Sequence, residues 1–466
     1  MKKKDLIKKE ITRRDFIQNS VKGVIGATMM PTMMPTILTS CSNWRGANDR
    51  VNIAHIGVGA RGSEVIKGYF LPLKECRSLA VCDVFKNRRE ELANFISSYY
   101  KEKFSENINC KPYLKYEEIL ERDDIDAVHI ATGDYWHLPI AIKAARAGKH
   151  IYCEKPLGLS LDNMKLLEKE LKNNNVRWHY GTQQRSSTHI QRGIEMLRSG
   201  KIGEVNQLDV WAPPGDNEPV IEPKGEAVPE GFDYDRWLGP APLKPYSKVR
   251  CTNLGAWHIY DYALGFIAGW GAHPLDVAVW GMKDKMTDIA TFSGTGKFWP
   301  KESIYDTILT WDVNIEYKNG FKVHFMSTDA AVPVVTKYID KPRGDGTTFF
   351  GSKGWISLSR SQGSSSIPEL NSQLQVSMEQ DAATGLLIRN DIDPHGLNFI
   401  KVIKGEIDEM GPIEDAILSD SISHMGNIAI RSGKNVVWDA TTNTFPDAPE
   451  LEAKYFHRNL RAPYGV

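Results

Sequence analysis

The 466-residue chain has no excess of either charge, no cysteine framework, no apolar run of membrane length and no internal repeat. Its 58 basic residues equal its 58 acidic ones, whereas a nucleic-acid binder carries a basic surplus. That class is excluded. The balance is uneven along the chain: residues 1–40 hold 8 basic side chains and 3 acidic ones, leaving 50 against 55 in the remainder. The six cysteines (Cys41, Cys76, Cys82, Cys110, Cys153, Cys251) form no CxxC pair, so no metal site is assigned and no disulfide framework is expected. With 41 % hydrophobic and 25 % charged residues, the body reads as soluble and globular. At roughly 100–200 residues per domain, its length suits two or three domains.

The first forty residues read as an address. A Lys-rich start leads to Thr12-Arg13-Arg14-Asp15-Phe16-Ile17, which matches a twin-arginine export signal. The apolar stretch Gly23 to Leu38 is interrupted by Pro31 and Pro35 and is too short to span a bilayer comfortably. It ends in Leu38-Thr39-Ser40-Cys41, which resembles a lipobox with Cys41 as the lipidated residue. The expectation is an exported, periplasmic lipoprotein that meets the membrane only through Cys41. A body without disulfides suits a route that exports chains already folded, and a folded passenger can carry a cofactor.

Residues 50–180 alternate strand and helix. Val51–Ile56, Arg77–Cys82, Asp126–Ala131 and His150–Cys153 are β-favouring, with helical stretches at Leu138–Ala147 and Leu161–Leu171. This pattern predicts βαβ units and a parallel, doubly wound Rossmann sheet. Residues 181–466 change character. Asp306–Tyr317 and Phe321–Ser327 flank Asn319-Gly320, which predicts a hairpin with a type I′ turn. Thr347–Gly351 and Trp355–Ser359 predict another. The expected second domain is α+β, with a large, mostly antiparallel open sheet and helices at 188–199 and 395–404. Residues 360–385, rich in Ser and Gln, read as a surface loop.

Gly57-Val58-Gly59-Ala60-Arg61-Gly62 directly follows the first strand. The first glycine permits the tight turn, the second admits a pyrophosphate, and the third allows helix and strand to pack closely. Asp83 closes the second strand 26 positions after Gly57, where a carboxylate receives ribose hydroxyls and favours NAD. Lys86, Arg88 and Arg89 lie close behind and keep NADP open. Tyr152-Cys153-Glu154-Lys155-Pro156 ends the fourth strand, and Asp134-Tyr135-Trp136-His137 follows the third. Both occupy the carboxyl edge of the sheet, where ligands bind in such folds.

With these segments, and with GTQQRS, WGAHPLDVAVWG, FFGSKGWI and HMGNIAIRSGKNVVWD, residues 50–466 resemble the glucose–fructose oxidoreductase and inositol dehydrogenase family (Gfo/Idh/MocA) in its exported, sugar-active branch. The resemblance implies that Lys155 is the catalytic lysine and that His273 lies beside the substrate. It implies cofactor contacts from Gly57, Gly59, Ala60, Arg61, Gly62, Asp83, Thr132, Trp136, His137, Glu154 and Gln183. It implies substrate contacts from Arg185, His258, Tyr262 and Asp276. The sequence departs from the family at one point: many relatives carry an Asp four residues before the histidine, and here that residue is Gly269. A proton relay is therefore expected through His273 and Lys155 alone.

The chemistry agrees with these roles. Alcohol oxidation removes a proton and a hydride, and a desolvated lysine serves as a base near neutral pH. Trp211, Trp237, Trp257, Trp270 and Trp280 suit stacking on sugar rings. The expected function is oxidation of a sugar or glycoside hydroxyl, to a 3-keto product, by hydride transfer to captive NAD. Two other readings stand beside it: a glycoside hydrolase using transient oxidation and elimination, and a non-catalytic sugar and dinucleotide sensor. Expected partners are a small carbohydrate, further copies of the chain and an electron acceptor, with no nucleic acid.

Overall fold

The structure, a computed structural model, describes residues 50–215, 218–221, 225–374 and 394–466. The expected signal segment and Cys41 lie outside the described residues. Six parallel strands form the first sheet: β1 (Val51–Ile56), β2 (Cys76–Cys82), β3 (Lys111–Tyr113), β4 (Ala127–Ile130), β5 (His150–Glu154) and β6 (Trp178–Gly181). Their order is β3-β2-β1-β4-β5-β6, the doubly wound arrangement. β1, β4 and β6 are almost wholly buried, as continuous apolar runs in a two-sided parallel sheet should be. The strand order reverses between β1 and β4, and a crevice opens there beyond their carboxyl ends.

Helices α1 (Ala60–Val65), α2 (Lys86–Phe104), α3 (Asp134–Arg146) and α4 (Leu161–Asn173) connect these strands. α3 begins four residues before the expected start. Most of its residues are buried all round, so no amphipathic period marks its first turn. Its early start puts Asp134 at the cleft.

The second sheet has eight strands in the order β13-β12-β11-β7-β10-β9-β8-β14. They are β7 (Val205–Ala212), β8 (Ile289–Phe298), β9 (Ile308–Tyr317), β10 (Lys322–Ser327), β11 (Gly346–Gly351), β12 (Gly354–Leu358), β13 (Gly363–Ser365) and β14 (Val436–Asp439). All pairs are antiparallel except β7 with β10. The hairpin β9–β10 forms, but not with a type I′ turn. Only Gly320 has positive φ (+86°), and its N–H donates to Tyr317 O at 2.9 Å. Lys318, Asn319 and Gly320 thus make a three-residue loop with glycine at the left-handed position. The expected loop at 360–385 is also corrected. β13 and a helix at Pro368–Leu374 occupy its first half, with Leu370 and Leu374 buried, and 375–385 lie outside the described residues.

Three longer helices cover this sheet: α5 (Thr188–Arg198), α6 (Ala272–Met286) and α8 (Ile413–Ser432). Between the last two in sequence, α7 (Pro394–Lys404) returns to the first sheet, burying Phe399 and Ile400 against Phe70 and Tyr152. α8 touches α6 and β8 on one side and α4 and β6 on the other. One hydrophobic core consequently spans both sheets. Among the described residues, all five cysteines are free and no helix is long and apolar enough to cross a membrane.

Candidate active site

The crevice between the two halves holds a cleft of about 310 Å³. Its floor is the glycine loop. Gly57 has φ +86°, and a Cβ there would lie 2.5 Å from Ala131 O on the neighbouring strand end. A Cβ on Gly62 would lie 2.1 Å from Gly57 O. Gly59 instead faces open space, with only Arg88 Nη1 at 3.7 Å from its virtual Cβ. Two glycines therefore close the turn, and the third leaves the approach that a pyrophosphate requires.

At one end stands Asp83, buried. Its Oδ2 accepts from Val58 N–H and its Oδ1 from Phe85 N–H, both at 2.9 Å. Burial raises its pKa, opposed by those N–H groups and by Arg88 and Arg89. Each oxygen keeps a free lone-pair direction for a ribose hydroxyl. Arg88 lies over the Phe85 ring at 4.0 Å. Phe85 also stacks on Phe232, with centroids 3.9 Å apart and planes 6° from parallel. Phe232 belongs to a strap that crosses this end. Lys86 N–H donates to Gly231 O (2.8 Å), Asp233 N–H donates to Val84 O (3.2 Å), and Arg236 pairs with Glu117 (3.1 Å).

Glu154 ends β5 with 3 % exposure. Its Oε1 accepts from Arg61 Nη2 (3.1 Å), Gln183 Nε2 (3.0 Å) and, at 3.5 Å, Tyr152 OH. Burial opposes the Arg61 charge, but Glu154, Tyr152 and Tyr69 outweigh it, so the guanidinium stays protonated. His137 Nδ1 lies 2.7 Å from Pro156 O and Nε2 3.2 Å from Thr132 O, and the neutral ring donates to one of these carbonyls and packs against the other. Burial lowers its pKa to about 4.

At the opposite end, Lys155 Nζ donates to Gly269 O at 2.7 Å and lies 5.0 Å from the centre of the Trp257 ring. Burial lowers its pKa, opposed by Glu154 and Asp134. His273 follows four residues after Gly269 and is buried, with Nδ1 lacking any partner among the described residues. Burial, then Arg360 and Lys155, hold it well below the ordinary imidazole value. It is therefore neutral. Trp270 separates His273, 5.8 Å from its ring, from Arg360, whose guanidinium is 5.2 Å from it.

The expected residues divide by position. Gly57, Gly59, Ala60, Arg61, Asp83, Thr132, Trp136, His137, Glu154, Lys155 and Tyr262 line the cleft. Gln183 reaches it through Glu154, whereas His273 is not among the lining residues and stands four residues beyond Gly269, the carbonyl partner of Lys155. Arg185 and Asp276 do not come to it. They bind each other in a buried fork with both contacts at 2.7 Å, and Arg185 Nη1 takes Asp415 at 3.0 Å. Their charges are spent on α6 and α8 rather than on a sugar. His258 is enclosed by Phe266, Trp299 and Tyr305. Of the tryptophans, Trp237 and Trp257 line the cleft, whereas Trp211 is core. The sequence reading assigned no role to Asp134, Phe85, Phe232 or Arg360. Asp134 alone had a local signal, its place after β4 at the carboxyl edge.

A doubly wound nucleotide-binding domain joined to an open-sheet domain, with a lysine between them, defines a dehydrogenase-like architecture. Residues 51–182 match the oxidoreductase family with an NAD-binding Rossmann fold, and residues 220–466 match that family's C-terminal alpha/beta domain. The chain belongs to the Gfo/Idh/MocA family. A Glycosyl hydrolase family 109 protein of Shewanella pealeana is 36% identical over 114 residues, 24% of each chain. The match thus spans about a quarter of that relative. Among solved structures, aldose-aldose oxidoreductase from Caulobacter crescentus complexed with glycerol superposes with TM-score 0.59 at 16% identity, covering 83% of this chain and 99% of that one. Scyllo-inositol dehydrogenase from Lactobacillus casei, with bound NAD(H) and scyllo-inositol, gives 0.55 at 14% identity with the same coverage. These likenesses show the fold.

Proposed function

We propose that the protein oxidises a ring hydroxyl of a sugar or glycoside, at carbon 3, while retaining its nicotinamide cofactor. The observation that carries this reading is the Lys155 amine, held between the Trp257 face and Gly269 O at the end of a cleft floored by the glycine loop. Bound NAD supplies a hydride acceptor. Lys155, its charge disfavoured by burial, takes the hydroxyl proton. Neutral His273 orients the hydroxyl by hydrogen bonding. Trp257 and Trp237 exclude water and offer apolar faces to the ring.

Retention of the cofactor is supported by the strap over the Asp83 end, held by Phe85, Val84 and Glu117. It suits the export expected from Arg13, Arg14 and Cys41, because free nicotinamide is scarce outside the inner membrane. A retained cofactor must be reoxidised in place, by a second sugar or by an electron-carrier partner. The match to a family 109 glycosyl hydrolase favours a second reading, in which transient oxidation permits elimination of the aglycone and is then reversed.

A panel of 4-nitrophenyl glycosides, followed at 340 nm and by nitrophenol release, separates the two. The dehydrogenase reading expects cofactor reduction without release. Release with no net redox change overturns it in favour of the hydrolase.

A further inference from the structure

The lysine has a second neighbour besides the Gly269 carbonyl. Asp134, the first residue of α3, is 3 % exposed and lines the same cleft as Lys155. Its Oδ2 is buried without a hydrogen-bond partner among the described residues. Trp257 lines the same cleft, and its ring centre lies 5.0 Å from the Lys155 amine. Acid, indole and base thus share one cleft, and the charges of Asp134 and Lys155 act on each other.

Position 269 sharpens the point. A carbonyl accepts a hydrogen bond from an ammonium but supplies no negative charge to balance it. Asp134 does supply one. We infer that Asp134 is the counter-ion of Lys155, a positioning residue that acts on it from the start of α3.

The inference rests on Lys155 being the base. In the reaction the substrate O–H bond breaks and its proton joins the free Lys155 amine. The carbinol C–H bond would break with it, its electron pair passing as hydride to the oxidised nicotinamide that the glycine loop and Asp83 would hold. The new ammonium is neutralised by ionised Asp134, and the pair ends the step holding one more proton.

The other charges around the pair shape this role. Glu154 and Asp134 favour the ammonium, whereas Arg61 and Arg360 oppose it. On the far side, Asp420 of α8 is fully buried, with Oδ1 lacking a partner among the described residues, and its charge opposes ionisation of Asp134. Asp420 Oδ2 accepts from Gly158 N–H at 3.4 Å and lies 3.6 Å from His424 Nε2. Neutral His137 lies in the field of both Lys155 and Asp420 and neutral His273 in that of Lys155, while the un-ionised Tyr135, Cys153 and Tyr180 face the Asp134 charge. With burial and Asp420 raising it and Lys155 lowering it, Asp134 sits above the usual carboxylate range. Its ionisation is thereby tied to the charge on the lysine.

Competitive labelling with acetic anhydride across pH 6–10, read by peptide mass spectrometry on the purified full chain, tests the pairing without any sugar. Exposed Lys101 serves as the internal reference. In Asp134→Asn the midpoint of Lys155 reactivity is expected to fall by roughly 1–3 pH units, because the ammonium loses its counter-charge, and Asp134→Glu restores it. An unchanged midpoint in Asp134→Asn overturns the inference. Should that variant fail to fold, Lys155→Met provides the second reading. Infrared spectroscopy then finds the protonated Asp134 carboxyl persisting to higher pH than in the parent, and no change overturns the pairing. Both measurements read ionisation alone, so failure to oxidise glycosides overturns the proposed activity and leaves this result standing.

Discussion

Arg61 of the glycine loop and Glu154 at the end of β5, 93 positions apart, form an ion pair with Nη2–Oε1 at 3.1 Å. The contact ties the phosphate-binding turn to the strand that ends in the lysine. It also neutralises Glu154, which has 4 % side-chain exposure, whereas Arg61 keeps 31 % and remains in reach of solvent.

Glu154→Gln should weaken this tie. The amide cannot balance Arg61, and Gln183 loses a charged acceptor. Because Arg61 is partly solvated, the expected loss is about 1–2 kcal/mol rather than the larger cost of a fully buried pair. Urea denaturation of parent and variant measures it. Equal midpoints would show that the pair contributes nothing to the fold.

The glycine loop makes a steric prediction. Gly62→Ala would put its Cβ 2.1 Å from a carbonyl oxygen, whereas Gly68→Ala has nothing within 4 Å. Calorimetric titration with NAD should show binding reduced by at least about tenfold for the first, a cost of the order of 1–3 kcal/mol in strain. The second should bind like the parent. Equal binding by all three would displace the nucleotide from this loop.

Phe232→Ala removes the ring stacked on Phe85 and loosens the strap. An aromatic pair contributes roughly 0.5–1.5 kcal/mol beyond its buried area, so NAD should leave about 2–13 times faster. Dialysis followed by mass spectrometry of the retained nucleotide reads this. An unaltered release rate removes the strap from the account of retention.

Much of the nucleotide half was legible because its signals are local. The run Val51–Ile56, the three glycines and Asp83 lie within 33 residues, and each acts through backbone geometry. The substrate half was less legible because its side chains are committed by distant partners. Arg185 looked available until α6 brought Asp276 to it from 91 positions away. Asp134 and Trp257 line one cleft only after α3 starts early and the second half closes over the first. Asn319-Gly320 marked the right turn but the wrong type, since three loop residues place only the glycine at positive φ.

Buried histidines give the fold an acid limit. Burial lowers His55 to about 3 and His137 to about 4, and it holds His129, His179 and His273 well below 6.5. All are neutral in the folded state, while the unfolded chain takes up protons near 6.5. Their contribution is intact above pH 6.5 and is lost as pH falls toward 4. Each costs up to about 1.4 kcal/mol per pH unit in that window. Thermal melts at pH 7.5, 5.5 and 4.5 should fall steadily, and a flat series would contradict the burial of neutral imidazoles.

The most direct test of the central claim is Lys155→Met, assayed at 340 nm with the glycoside panel and by calorimetry with NAD. Removal of the base should slow cofactor reduction by roughly 10²–10⁴-fold, with NAD affinity within about threefold of the parent. A variant that reduces its cofactor as fast as the parent would contradict the assignment of Lys155.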